Sequence, residues 1–151
     1  MVCVMKSTIL PAFALILSII GCQNQPTEIK NSSEQIGFST NSSSYVVSDT
    51  INLSLNNSSS FDMVVGLRCG HYLEMFYQKK VNQDWSDTLW FWYMSLRCPT
   101  FLDTVLRNNS FAHSMPAEMF NSTGTFRLLI DVYIPQRDTS LMLISNQFQI
   151  Q

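Results

Sequence analysis

The chain has 151 residues, 46% of them hydrophobic and 13% charged, with a formal net charge of −2. That apolar content is ample for a packed core and unlike a disordered acidic tail. With no clustered Lys or Arg, the chain lacks the basic surface that nucleic acid or an electrostatic grip on anionic lipid requires.

Lys6 is the only charge before Glu28, and an apolar run from Ile9 to Ile20 follows it, in the order of an export signal. The run is about a dozen residues, short of the roughly 20 that cross a bilayer as a helix. It closes on Leu17-Ser18-Ile19-Ile20-Gly21-Cys22. This stretch resembles the lipobox of bacterial lipoprotein signal peptides, with a branched apolar residue three places before a cysteine and a small residue directly before it. The resemblance implies that residues 1–21 are a signal peptide and that the Cys22 thiol receives a diacylglyceryl group. The freed amino group then takes an acyl chain such as palmitate. Two or three chains on one residue anchor a protein stably, whereas one binds reversibly. The implied partner is a membrane, reached through lipid on Cys22. An aspartate after the cysteine retains such proteins at the inner membrane, and here Gln23 stands there, which points to the outer membrane of a bacterial cell envelope.

Residues 22–35 are polar past Cys22, with Asn24, Pro26, Asn31, Ser32 and Ser33. They read as a flexible tether with a reach of about 20 Å. Residues 36–151 are then one domain. Past Cys22 there are eight basic and eleven acidic residues, a net charge of −3. Apolar residues recur there with period two, and Asn, Ser, Gly and Pro punctuate the chain every eight to twelve residues or so, the mark of an all-β domain. Ile36 to Ser39 and Tyr45 to Val47 form a broken first strand. Ile51, Leu53 and Leu55 alternate with Asn52 and Ser54. Phe126, Leu128, Ile130 and Val132 make the cleanest core face, and Pro135 ends that strand. Phe148 and Ile150 supply the last strand.

Two aromatic-rich runs, Tyr72 to Lys79 and Thr88 to Arg97, flank Val81-Asn82-Gln83-Asp84 and predict a hairpin. A register with Cys69 opposite Cys98 places Leu73 opposite Met94, Met75 opposite Trp92 and Tyr77 opposite Trp90, which makes one face apolar. Phe76 with Phe91 and Glu74 with Tyr93 fall on the other. A slip of one residue reverses every face, so packing selects the register. The two cysteines then meet, and export supplies the oxidising compartment for a Cys69–Cys98 disulfide.

Seven or eight short strands point to a β-sandwich of immunoglobulin-like type. Tyr45, Asp49 to Ser58, Tyr72 to Lys80 leading to Trp85, Gly124-Thr125-Phe126-Arg127 and Ser145-Asn146-Gln147-Phe148 resemble the bacterial Ig-like domains of envelope lipoproteins. Similar strand patterns occur in the intracellular proteinase inhibitor domains of bacilli, which keeps an inhibitor role as the alternative. Neither resemblance implies catalytic residues.

His71 and His113 lack the nucleophile elbow or Gly-rich loop that would mark an enzyme, so no catalysis is expected. Zinc wants four ligands and there is no Cys-x-x-Cys pair, so neither a metal nor another cofactor is expected. The aromatic excess at Trp90, Phe91, Trp92 and Tyr93 is the candidate binding surface, suited to a glycan or to an envelope protein. Burial of Phe91 and Tyr93 would instead assign that strand to the core.

Overall fold

Phe126, Leu128, Ile130, Val132 and Ile134 alternate with Thr125, Arg127, Asp131 and Tyr133, and all five of the former are shielded from solvent. Period-two alternation turns one set inward and the other outward. In the computed structural model, which describes residues 36–151, these residues form the strand on which the larger of two sheets is built. The signal peptide, Cys22 and the tether expected at residues 1–35 lie outside the described residues.

The strands in chain order are β1 (Ile36–Thr40), β2 (Ser44–Tyr45), β3 (Thr50–Asn57), β4 (Met63–Arg68), β5 (Tyr72–Leu73), β6 (Met75–Val81) and β7 (Asp84–Trp85). After them come β8 (Leu89–Trp90), β9 (Thr100–Val105), β10 (Asn109–Pro116), β11 (Gly124–Ile134), β12 (Thr139–Ile144) and β13 (Phe148–Ile150). Single 3₁₀ turns occupy Trp92–Ser95, Ala117–Phe120 and Pro135–Arg137. The expected seven or eight strands are therefore thirteen among the described residues, because breaks in the ladders leave β2, β5, β7 and β8 as two-residue pieces.

The smaller sheet runs β1-β3-β10, antiparallel throughout. In the larger sheet β11 pairs with β12 and β13 along one edge and with β6 and β4 along the other. β9 extends the sheet beyond β4. Ser145 bridges the break between β12 and β13: its N–H donates to the Leu128 carbonyl, and its Oγ accepts from the Leu128 N–H, both at 2.9 Å. β13 lies between β11 and β2 and is parallel to β2. Thr40 and Asn146 exchange two hydrogen bonds of 2.8 Å across 106 residues of sequence.

Ile51, Leu53 and Leu55 of β3, Phe38 of β1 and Met115 of β10 pack on the β11 face, Met63, Val65, Met75, Phe148 and Ile150 in a single core. The fold is an all-β sandwich, as the periodicity predicts.

The hairpin turn falls where expected. Val81 faces Asp84 across Asn82 and Gln83, and Asn82 takes the left-handed backbone (φ 57°) that asparagine tolerates. The predicted register does not hold. Lys80 faces Trp85, but three residues, Ser86 to Thr88, then oppose only Gln78 and Lys79, so Tyr77 meets Leu89 and Phe76 meets Trp90. One extra residue in a strand is a β-bulge, and it reverses the faces of everything beyond it. The chain also leaves the extended conformation after Phe91 for the 3₁₀ turn Trp92–Ser95. Glu74 does not face Tyr93 but donates its N–H to the Gly66 carbonyl at 2.8 Å.

The Cys69–Cys98 disulfide is present, with Cα atoms 5.2 Å apart, although not as opposed residues of that hairpin. Cys69 sits in the β4–β5 turn with a φ of 54°, and its N–H donates to the Pro99 carbonyl at 3.0 Å. Cys98 stands in the segment that enters β9. The bridge spans 29 residues of sequence. Replacing both cysteines by serine should lower unfolding stability by about 2–4 kcal/mol, read from urea denaturation. An unchanged midpoint would show that the bridge contributes nothing measurable.

Candidate binding surface

Residues paired directly across a sheet lie on the same face. On the outer face of the larger sheet, Leu129 of β11 faces Ile144 of β12 on one side and Phe76 of β6 on the other, and Phe76 faces Trp90 of β8. The result is one apolar row across four strands. Its ends are open to solvent, with Ile144 47% and Trp90 66% exposed. Leu129 in the middle is shielded by its neighbours, though it points away from the core. The Trp90 indole meets Phe76 edge to face, with centroids 5.1 Å apart.

Polar groups flank the row. Arg127, two residues before Leu129, donates from Nε to Gln78 Oε1 at 2.8 Å and lays its guanidinium over the Trp85 ring at 4.3 Å. Gln78 Nε2 reaches Thr88 Oγ1 at 3.4 Å. On the far side Asp131 faces the exposed Met142. Trp85, Arg127 and Gln78 thus form a second rank beside the apolar row, all on one sheet face.

The predicted patch of Trp90, Phe91, Trp92 and Tyr93 is divided by the bulge. Phe91 and Tyr93 are 2% and 1% exposed and belong to the core, which corrects their place on the binding surface. Phe91 stacks on Tyr93 and packs against Tyr77 and Phe120. The Tyr93 hydroxyl donates to the Leu73 carbonyl at 2.8 Å. Burial, aided by the Glu74 carboxylate, raises its pKa well above the usual phenol value. Trp92 is exposed but stands apart from Trp90, on the 3₁₀ turn against Tyr72.

The two histidines, far apart in sequence, come to one pocket of about 270 Å³ between the sheets. His71 enters from the β4–β5 turn and His113 from β10, with Met75, Met115, Met119 and Tyr93 around them. Burial lowers the His113 pKa below the usual histidine value, so the imidazole is neutral at pH 7. Ser114, also at the rim, donates its hydroxyl to Asn52 Oδ1 at 2.7 Å. Among the described residues no three His, Cys, Asp or Glu side chains are grouped to hold a metal ion.

The sequence pointed to Trp90 but missed Phe76, Leu129, Ile144 and the Arg127–Trp85 stack. One signal was present: Leu128-Leu129-Ile130 breaks the alternation of β11 and puts a leucine on its polar side.

No protein-family model matches the chain, and no curated protein matches it in sequence. Three solved structures illustrate the likenesses found. An uncharacterised protein from Bacillus anthracis is 12% identical, with 71% of this chain and 75% of that one covered and a TM-score of 0.35. A bacterial immunoglobulin-like domain from the M. primoryensis ice-binding adhesin is 9% identical, with 78% and 98% covered and a TM-score of 0.35. A chain from the structure of T cell activation by toxic shock syndrome toxin-1 is 6% identical, with 77% and 98% covered and a TM-score of 0.38. At such scores they carry no argument about this chain.

Core and surface aromatics should separate in stability. Tyr93→Ala should cost about 3–5 kcal/mol through the cavity it leaves. Trp90→Ala should cost about 0.5–1.5 kcal/mol, the scale of one aromatic pair. Urea unfolding of the two variants checks the assignment, and equal losses would contradict it.

Proposed function

We propose that this protein is a lipid-anchored lipoprotein of the bacterial outer membrane whose sandwich domain binds a glycan on the outer face of its larger sheet. The observation that carries the reading is the half-open apolar row ending at Trp90, flanked by Gln78, Arg127 and Trp85. An indole held edge-on by Phe76 offers a fixed apolar plane at little entropic cost, on which the C–H face of a pyranose can stack. The amide and guanidinium beside it supply donors for sugar hydroxyls. A sheet face suits an extended polymer better than it suits a compact ligand.

The topology fits a tethered module. β1 begins at Ile36, opposite Asn57, which also pairs with Asn109. The β6–β7 hairpin runs past Lys79, which pairs with Phe126 near the start of β11. These are opposite ends of the sandwich. A lipid on Cys22 would connect to the domain through residues 22–35, which enter it at Ile36.

Two measurements test the two halves of the proposal. Cys22→Ala should abolish lipid labelling with radioactive palmitate and shift the protein out of the membrane fraction; labelling that persists would remove the anchor. Purified peptidoglycan and a panel of immobilised envelope polysaccharides should retain the native protein, and Trp90→Ala should weaken retention at least tenfold, about 1.4 kcal/mol, while the fold stays intact by circular dichroism. Capture by none of these polymers, or equal capture of the variant, would refute a glycan site at Trp90.

A further inference from the structure

The pocket that gathers the two histidines also gathers three of the chain's eight methionines. Met75 and Met115 are almost fully buried and line it, one from each sheet. His113 and Met115 stand two apart on β10, and period-two alternation points both to the same side of that strand. The 3₁₀ turn Ala117–Phe120 then carries Met119, half-buried, to the rim. The exposed His71 joins the lining from the β4–β5 turn.

We propose that this pocket is a binding site for a soft monovalent metal ion, Cu(I) or its analogue Ag(I), taken up by the thioethers of Met75, Met115 and Met119 and the imidazoles of His71 and His113. The donor set decides the class of ion. Thioether sulfur is a soft ligand that selects Cu(I), whereas carboxylate and carbonyl oxygen suit magnesium, calcium and manganese. No carboxylate lines the pocket, and Cys69 and Cys98, near His71, are committed to each other. Two imidazoles fall short of the four N, S or O ligands that structural zinc takes. A pocket of about 270 Å³ leaves space for the side chains to close on an ion. Methionine, with three rotatable bonds, is the side chain best able to do so. The site is separate from the glycan surface, which uses the outer face of the same sheet.

The test uses the full chain carrying Cys3→Ser and Cys22→Ser, so that no free thiol competes, and Ag(I) as the probe, because it needs no reductant and leaves the disulfide whole. Titration should show one equivalent bound, with the methyl NMR signals of Met75, Met115 and Met119 shifting and that of Met142 unmoved. Cu(I) in anaerobic solution should be withdrawn from a chromogenic chelator by the same protein. Two variants, the volume-conserving Met119→Leu and His71→Ala on the exposed turn, should each weaken Ag(I) binding at least tenfold with melting temperature little changed. Absence of stoichiometric Ag(I) binding, unaltered affinity in the Met119→Leu, His71→Ala double variant, or equally tight binding of Zn(II) would overturn the proposal.

Discussion

The structure depends on β11 being paired along both of its edges. Among the described residues it is the longest strand, and it meets β13 and β12 on one side and β6 and β4 on the other. Its inward side chains are the centre of the core. Its outward ones set where the Arg127–Trp85 stack and the apolar row lie. The same eleven residues therefore specify both the packing of the two sheets and the spacing of the surface groups. A change that moved β11 by one residue would lose both at once.

Much of this was legible in the sequence because it follows from local alternation. The inward faces of β3, β11 and β13 could be named residue by residue, and so could the hairpin turn at Asn82 and Gln83. Two of the strands not foreseen have weak alternation. β9 exposes Phe101, Leu102, Asp103 and Thr104 in succession, and β4 is interrupted by Gly66. The bulge at Ser86 to Thr88 left no local mark, and its single extra residue sent Trp90 outward and Phe91 inward, against the predicted pairing.

The disulfide is instructive for the opposite reason. The expected partners are bonded, yet the expected ladder is not what brings them together. Backbone pairing of β4 with β9 and the Cys69 N–H bond to Pro99 do so. A correct pair can thus rest on an incorrect register. The candidate surface shows the matching limit: Phe76, Leu129 and Ile144 are neighbours only through pairing between distant segments, which no window along the chain can display.

The position of β13 has a consequence for how the molecule comes into being. The last strand is wedged between β2 and β11, and Asn146 holds Thr40 across most of the domain's length. Contacts so distant in sequence make closure slow, since the chain must lose much of its freedom before they form. During synthesis the sandwich therefore stays incomplete until β13 has emerged to pair with β2 and β11.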